Sequence, residues 1–304
     1  MYTELITEFA GLPVVEFNDA AAWKGADKAY RIREDYDDEV SVADRLDALL
    51  ALPDGGKLTA LIIGAWSTVS EGNSSEKVVA KLVELAPRLP NLRALFLGEM
   101  TYEESELSWI NQSDVSPVLR AFPRLEIFSI RGGTELAFSP VAHSSLRELT
   151  IETGGLPRSV LRELFLCNLP NLEVLKLLLG EPNYGFDGSV EDLQPLLSGK
   201  LYPRLHTLGL MNSEIADELA AVVVNAPIVD RITTLDLSMG NMTAEGIRSL
   251  HELASKRNLK LLDVSHHFAA EDDIAALTEA LSCEVVAEDP QEPEDEWRPI
   301  LHAE

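Results

Sequence analysis

The pattern Leu-x-x-Leu-x-Leu recurs eight times along this chain, and no other feature of the sequence constrains its fold so tightly. The copies are "LTALII" from Leu58, "LRALFL" from Leu92, "LEIFSI" from Leu125 and "LRELTI" from Leu146. They continue as "LEVLKL" from Leu172, "LHTLGL" from Leu205, "ITTLDL" from Ile232 and "LKLLDV" from Leu259. Successive starts lie 34, 33, 21, 26, 33, 27 and 27 residues apart, by subtraction of those positions. Within each copy the apolar residues alternate, as in a short strand with one buried face. Between copies the period changes. "EKVVAKLVEL" (76–85), "IADELAAVVV" (215–224), "EGIRSLHELA" (245–254) and "DIAALTEAL" (273–281) place apolar residues three and four apart, the spacing of amphipathic helices. Ser189 ahead of Asp192 and Thr243 ahead of Glu245 mark helix starts, where a side-chain oxygen and an early carboxylate satisfy free amides.

Four copies carry a further signature, "LPNL" at 89–92 and 169–172, "FPRL" at 122–125 and "YPRL" at 202–205. Proline cannot continue the helix before it and biases the preceding residue toward extended geometry. Each proline therefore ends a helix and aims the chain into the next strand. A single strand–helix unit is too small to bury its own apolar face, so neighbours must stack and share one core. The expected architecture is α/β, with a curved parallel sheet inside and helices outside. Leu95, Leu175, Leu208, Leu235 and Leu262, at the middle of their motifs, are expected to be buried.

On these motifs, over roughly Leu58–Leu281, the chain resembles leucine-rich-repeat proteins with helical units, similar in kind to ribonuclease inhibitor. The resemblance implies a leucine-rich-repeat solenoid that binds proteins. One departure stands out. Where the family pattern has Asn or Cys after the third apolar position, this chain has Trp66, Met100, Gly133, Gly154, Gly180, Ser213, Gly240 and His267. The loops leaving the strands are accordingly expected to be irregular. The chain also resembles a group of bacterial cytosolic leucine-rich-repeat proteins that in some genomes accompany predicted radical-SAM and ATP-grasp enzymes. That resemblance implies an accessory role, with such an enzyme as partner.

The ends differ from the middle. Residues 1–57 contain two strand-like runs, "LPVVEF" (12–17) and "KAYRIRED" (28–35), and a helix-like "VADRLDALLAL" (42–52). They read as a cap for the exposed edge of a repeat array at 58–283. Residues 284–304 begin like a last edge strand and become acidic. Asp289–Glu296 reads as a flexible tail or loop, with Trp297, Ile300 and Leu301 folding back onto the last repeat.

Composition narrows the function. A net charge of −26 argues against nucleic acid, whose phosphates would be repelled. It suits a protein or peptide partner with a basic contact surface, steered by the field. No basic-then-apolar leader and no long apolar run is present, which points to the cytoplasm and away from membranes. Two cysteines, Cys167 and Cys283, are too few for a disulfide framework or a cysteine-rich zinc site. Cys167, in "LFLCNL", reads as a buried small hydrophobe.

Catalysis needs several groups converging in a pocket. The sequence carries no phosphate-binding loop, nucleophile elbow or His-Glu-x-x-His motif, and neither catalytic residues, metal ligands nor cofactors are assigned. Asp236 and Asp263 occupy equivalent positions of neighbouring strands and are expected to lie side by side, facing solvent. His266 and His267 follow that strand and read as a solvated loop. The more informative residues lie between the buried leucines. Ile62, Phe96, Ile127, Glu148, Val174, Lys176, Met211, Asp236 and Asp263 are expected on the open inner face, several of them large and apolar, and exposed apolar surface marks interaction sites. The leading expectation is a non-enzymatic scaffold that binds a protein or peptide partner through that face. The alternatives are an accessory subunit or enzyme presenting or acting on a peptide with Asp236 and Asp263, and a structural subunit whose inner face is plugged by its N-terminal segment.

Overall fold

A computed structural model describes residues 2–35, 39–66, 73–256, 258–293, 295 and 297–302. The chain divides into two compact units, one of residues 1–151 with 166–169, the other of residues 152–165 with 170–304. In the first unit the strands follow chain order: β1 (Glu8–Phe9), β2 (Leu12–Glu16), β3 (Ala29–Ile32), β4 (Ala60–Ile63), β5 (Ala94–Leu97), β6 (Ile127–Arg131) and β7 (Glu148–Glu152). β1 and β2 form an antiparallel hairpin, whereas the pairs from β2 to β6 are parallel. The second unit holds β8 (Val174–Gly180), β9 (Thr207–Ser213), β10 (Thr234–Asp236), β11 (Leu261–Asp263) and β12 (Glu284–Val286), also in chain order and all parallel to their neighbours.

Every one of the eight motifs becomes a strand that starts two residues after the motif's first apolar position. The register aligns equivalent residues. Leu61, Leu95 and Phe128 stand abreast in the first unit, and Leu175, Leu208, Leu235, Leu262 and Val285 in the second. Leu95, Leu175, Leu208, Leu235 and Leu262 are wholly buried. The fold class is α/β, a leucine-rich-repeat solenoid.

Between the strands run α1 (Val42–Ala51), α2 (Glu76–Leu85), α3 (Ser116–Ala121), α4 (Arg158–Leu164), α5 (Gln194–Leu197), α6 (Ala216–Val223), α7 (Ala244–Leu250) and α8 (Glu271–Ala280). Local chemistry sets their starts. Ser41 and Asp44 form a reciprocal capping box on α1, and Ser189 and Asp192 form one on the short turn before α5. Thr243 caps α7 by accepting the Glu245 amide. The buried faces are those the periodicity marks: Val78, Val79, Leu82 and Leu85 on α2, and Leu219, Ala220 and Val223 on α6. Cys167 is buried.

At the start of the chain, the segment read as a cap joins the array through parallel pairing, with Tyr30 abreast of Leu61 and Arg31 abreast of Ile62. At the other end β12 forms where the last edge strand was expected. Ile300 is buried and Leu301 bonds back to the repeats, but Trp297 is exposed. Of the expected loop at 289–296, Glu294 and Glu296 lie outside the described residues. No helix among the described residues is long and apolar enough to cross a membrane.

Candidate functional site

The strand face opposite the leucine core differs sharply between the units. In the first unit it is covered over β3–β5. Phe9, Ala29, Ala60, Ile62, Ala94 and Phe96 form one buried cluster, with Ile6, Leu12, Val14 and Ile127 packed against it. Phe9 and Phe96 meet at 6.0 Å between ring centroids. Ile62 and Phe96, expected to be open, are 0% and 4% exposed, and Ile127 is half-buried. Strand alternation gave their side of the sheet correctly. The β1–β2 hairpin covers that side, so the exposure expected of them is corrected.

Charged residues hold this cover. Gly98, at φ +90°, turns the chain out of β5; a Cβ there would lie 2.5 Å from the Arg131 carbonyl oxygen. The next residue, Glu99, is wholly buried and takes two hydrogen bonds from Arg31, itself only 6% exposed. Glu99 Oε1 also accepts the Ile6 amide at 2.7 Å, and Arg31 Nη2 donates to the Ile6 carbonyl at 2.6 Å. Burial pushes the Glu99 carboxyl up from its ordinary range, opposed by Arg31 and the Ile6 amide. Arg131 donates to the Met100 carbonyl, and its guanidinium lies 3.6 Å from the centroid of the Tyr2 ring, with Phe96 beyond. The sequence signal for this arrangement was Ile6 and Phe9 ahead of the two-residue Ala10–Gly11 turn, a hairpin spacing.

In the second unit the same strand positions are a mixture of charged, polar and apolar residues. One row across β8–β11 reads Lys176, Gly209, Asp236, Asp263, and the row before it Val174, Thr207, Thr234, Leu261. Val174, Thr207, Thr234, Leu261 and Asp263 are half-buried, and the Lys176 side chain is 40% exposed. Glycine at 209 is what lets the row close. A Cβ there would stand 3.2 Å from Lys176 Cγ and 3.0 Å from Met211 Sδ. Lys176 lies across that gap toward Asp236, at 3.9 Å. The Met211 thioether occupies the same gap, which explains why Met211, expected to be open, is 6% exposed. Glu148 on β7 is exposed as expected.

Asp236 and Asp263 are abreast, as their equivalence implied, but their surroundings differ. Asp236 is 8% exposed, not solvent-facing; its Oδ1 accepts the Ser238 amide at 3.1 Å and the Ser238 hydroxyl at 2.6 Å. Burial pushes its carboxyl up, the Ser238 hydrogen bonds pull it down, Asp263 adds to the rise and Lys176 opposes it. Asp263 Oδ1 accepts the Ser265 amide at 2.9 Å.

His266 and His267 are 7% and 2% exposed, so the solvated-loop reading is corrected. His266 faces Asp289 through Nδ1 at 3.1 Å and the Pro299 carbonyl through Nε2 at 3.2 Å. His267 Nδ1 accepts the Ala269 amide, and burial lowers its pKa. Asn212, Met239 and His266 each adopt a left-handed conformation, with φ of 52°, 69° and 61°. They are equivalent residues 27 positions apart, and the segment 299–302 crosses them. Leu301 donates its amide to the Met239 carbonyl at 2.9 Å, while Asn212 and His302 exchange two bonds at 2.6 and 2.9 Å. Among the described residues no cluster of metal-ligating side chains is assembled.

A Bacteroides fragilis protein of known crystal structure, a structural genomics target, superposes with a TM-score of 0.82. It is 30% identical, and the match covers 90% of this chain and 76% of that one. The chain belongs to that protein's family. An internalin from Listeria monocytogenes is similar at 15% identity over 88% of this chain and 69% of its own, with a TM-score of 0.44, too low to bear an argument. No protein-family model and no curated protein matches the chain.

Proposed function

We propose that this family member is a cytoplasmic, non-enzymatic scaffold and that the strand face of its second unit binds an extended, basic segment of a protein partner. One observation carries the reading: in the row Lys176–Gly209–Asp236–Asp263 the side chains of Lys176 and Asp263 stay partly exposed on the parallel sheet, whereas over β3–β5 of the first unit the equivalent face is filled by the chain itself. Asp263 and the neighbouring edge residue Glu284 offer carboxylates to a cationic side chain, and Val174 and Leu261 offer half-buried apolar contact. The overall charge of −26 steers such a partner toward it. The sequence resemblance names a radical-SAM or ATP-grasp enzyme as the partner to try first.

The test is capture from native cytosol at low and moderate salt, repeated with Asp263→Lys. A partner held by wild type at low salt, weakened at moderate salt and lost from Asp263→Lys is the expected result. Equal retention by both proteins would remove this face from consideration.

A second reading has one observation in its favour. Asp236 is desolvated beside a second carboxyl, an environment that prepares a carboxylic acid for proton transfer to a bound peptide. The two readings part at Asp236→Asn. The scaffold keeps its partner and its partner's chemistry, whereas a proton-transfer role loses turnover with binding intact.

A further inference from the structure

The cover on the first unit is built like a bound peptide. Covering an apolar sheet face needs only apolar side chains, and a buried ion pair adds little stability over a well-packed apolar pair. Yet Arg31 and Glu99 are buried together and direct hydrogen bonds at the main chain of one residue, Ile6: Glu99 accepts from its amide and Arg31 donates to its carbonyl. Main-chain bonds of this kind bind an extended segment whatever its side chains, leaving selectivity to pockets for alternate residues. Those pockets are present. Arg131 receives the face of Tyr2, and Phe96 with its cluster receives Phe9.

Two further main-chain bonds hold the segment, from the Tyr102 amide to the Tyr2 carbonyl at 2.7 Å and from the Val14 amide to the Thr7 carbonyl at 2.9 Å, but most of its side chains stay outside the core. Thr3, Glu4, Thr7 and Glu8 are exposed, Leu5 and Ile6 are half-buried, and of residues 2–9 Phe9 alone is buried. It joins β2 through Ala10 and Gly11, both left-handed, at φ 53° and 72°. Behind the sheet, Leu61, Leu95 and Phe128 form a core that the segment does not enter. Its departure would expose Ile62 and Phe96 as a contiguous apolar patch, the kind of surface that marks an interaction site.

We propose that this face is a peptide-binding groove, that residues 2–9 are its tethered occupant, and that it accepts in their place an extended segment from another protein. That segment presents an aromatic residue to Arg131, a main-chain amide and carbonyl to Glu99 and Arg31, and an apolar residue to Phe96. The inference is independent of the reading of the second unit.

The full chain tests it, with a protease site inserted between Ala10 and Gly11 and cut after folding, so that the segment is held without a covalent link. The probe is a fluorescent peptide of residues 1–11. Saturable one-to-one exchange of probe into the cut protein is expected, with exchange into the uncut protein slower or weaker by about tenfold or more, because a tethered competitor acts at high effective concentration. Peptide N-methylated at Ile6 lacks the donor to Glu99 and is expected to bind at least tenfold more weakly, whereas a Glu4→Gln peptide, altered at an exposed side chain, binds unchanged. These peptide variants leave the protein intact. A cut protein that unfolds, or that releases the segment only on global unfolding, would make residues 2–9 a structural strand and overturn the proposal. Equal binding of the N-methylated peptide would overturn the main-chain clamp. Pairs of chains exchanging their own segments, seen as a doubled mass without added probe, would replace the foreign partner with a second copy.

Discussion

Phe96 and Gly209 hold the same place in two copies of one motif, each directly after the middle leucine, Leu95 or Leu208, yet they teach opposite lessons about a repeat face. At Phe96 the face is apolar, dry and covered by the β1–β2 hairpin. At Gly209 it carries no side chain, and its neighbours are Lys176, Met211 and Asp236. The leucine core behind both is the same in kind, with Leu95 and Leu208 equally buried. A repeat motif thus dictates its inward side and leaves its other side free to become either core or surface. What decides is the chain outside the repeat.

Substitutions can break or sharpen that contrast. The largest effects belong to the first unit. Phe96→Ala empties a buried aromatic site and is expected to cost about 3–5 kcal/mol, close to the about 2–5 kcal/mol of Leu95→Ala. Chemical denaturation of both variants measures the difference, and a mild Phe96→Ala would mean that the hairpin does not cover the face in solution. Glu99→Ala leaves Arg31 buried without its main partner and is expected to cost about 3–5 kcal/mol, the usual consequence of breaking a buried pair. In the second unit the matching change is minor. Lys176→Ala removes a half-exposed, 3.9 Å pair with Asp236 and is expected to shift stability by no more than about 1 kcal/mol.

The smallest effect is a change of slope with pH. The Asp236 carboxyl lies above its ordinary 3.8 in the folded chain because of burial. The folded state therefore holds this proton more tightly, and that contribution to stability is full below the ordinary value and lost as pH rises through the raised one. Asp236→Asn has no proton to lose, so its stability relative to wild type should improve from acid toward neutral pH. Denaturation midpoints across that range check it, and parallel profiles would show that Asp236 is solvated after all.

Much of this molecule was legible beforehand. Alternation located eight strands to a constant two-residue offset, and helical spacing located α2 to the residue. Those features are local, and local periodicity reports which side of an element faces the core. Exposure of the opposite side is not local. Ile62 and Phe96 are covered by residues of the distant β1–β2 hairpin, and nothing in "ALII" or "ALFL" encodes that. Met211 is hidden for a different reason, the missing side chain at Gly209. Asp236 was placed beside Asp263 by motif equivalence, but its burial and its bond from the Ser238 hydroxyl are tertiary features that the equivalence does not carry. Glu99 carried no signal at all: its partners Arg31 and Ile6 lie 68 and 93 residues away.

The crossing of segment 299–302 over Asn212, Met239 and His266 alters how the second unit comes apart. A stack of repeats touches only nearest neighbours, so its end units ordinarily fray one at a time. Here one short segment is tied by hydrogen bonds to three successive repeats. The final repeat cannot peel away without releasing ties to the two before it. Opening in this part of the chain is therefore a joint event, and amide exchange should report one shared protection level for β9, β10 and β11 where a free stack would show a gradient.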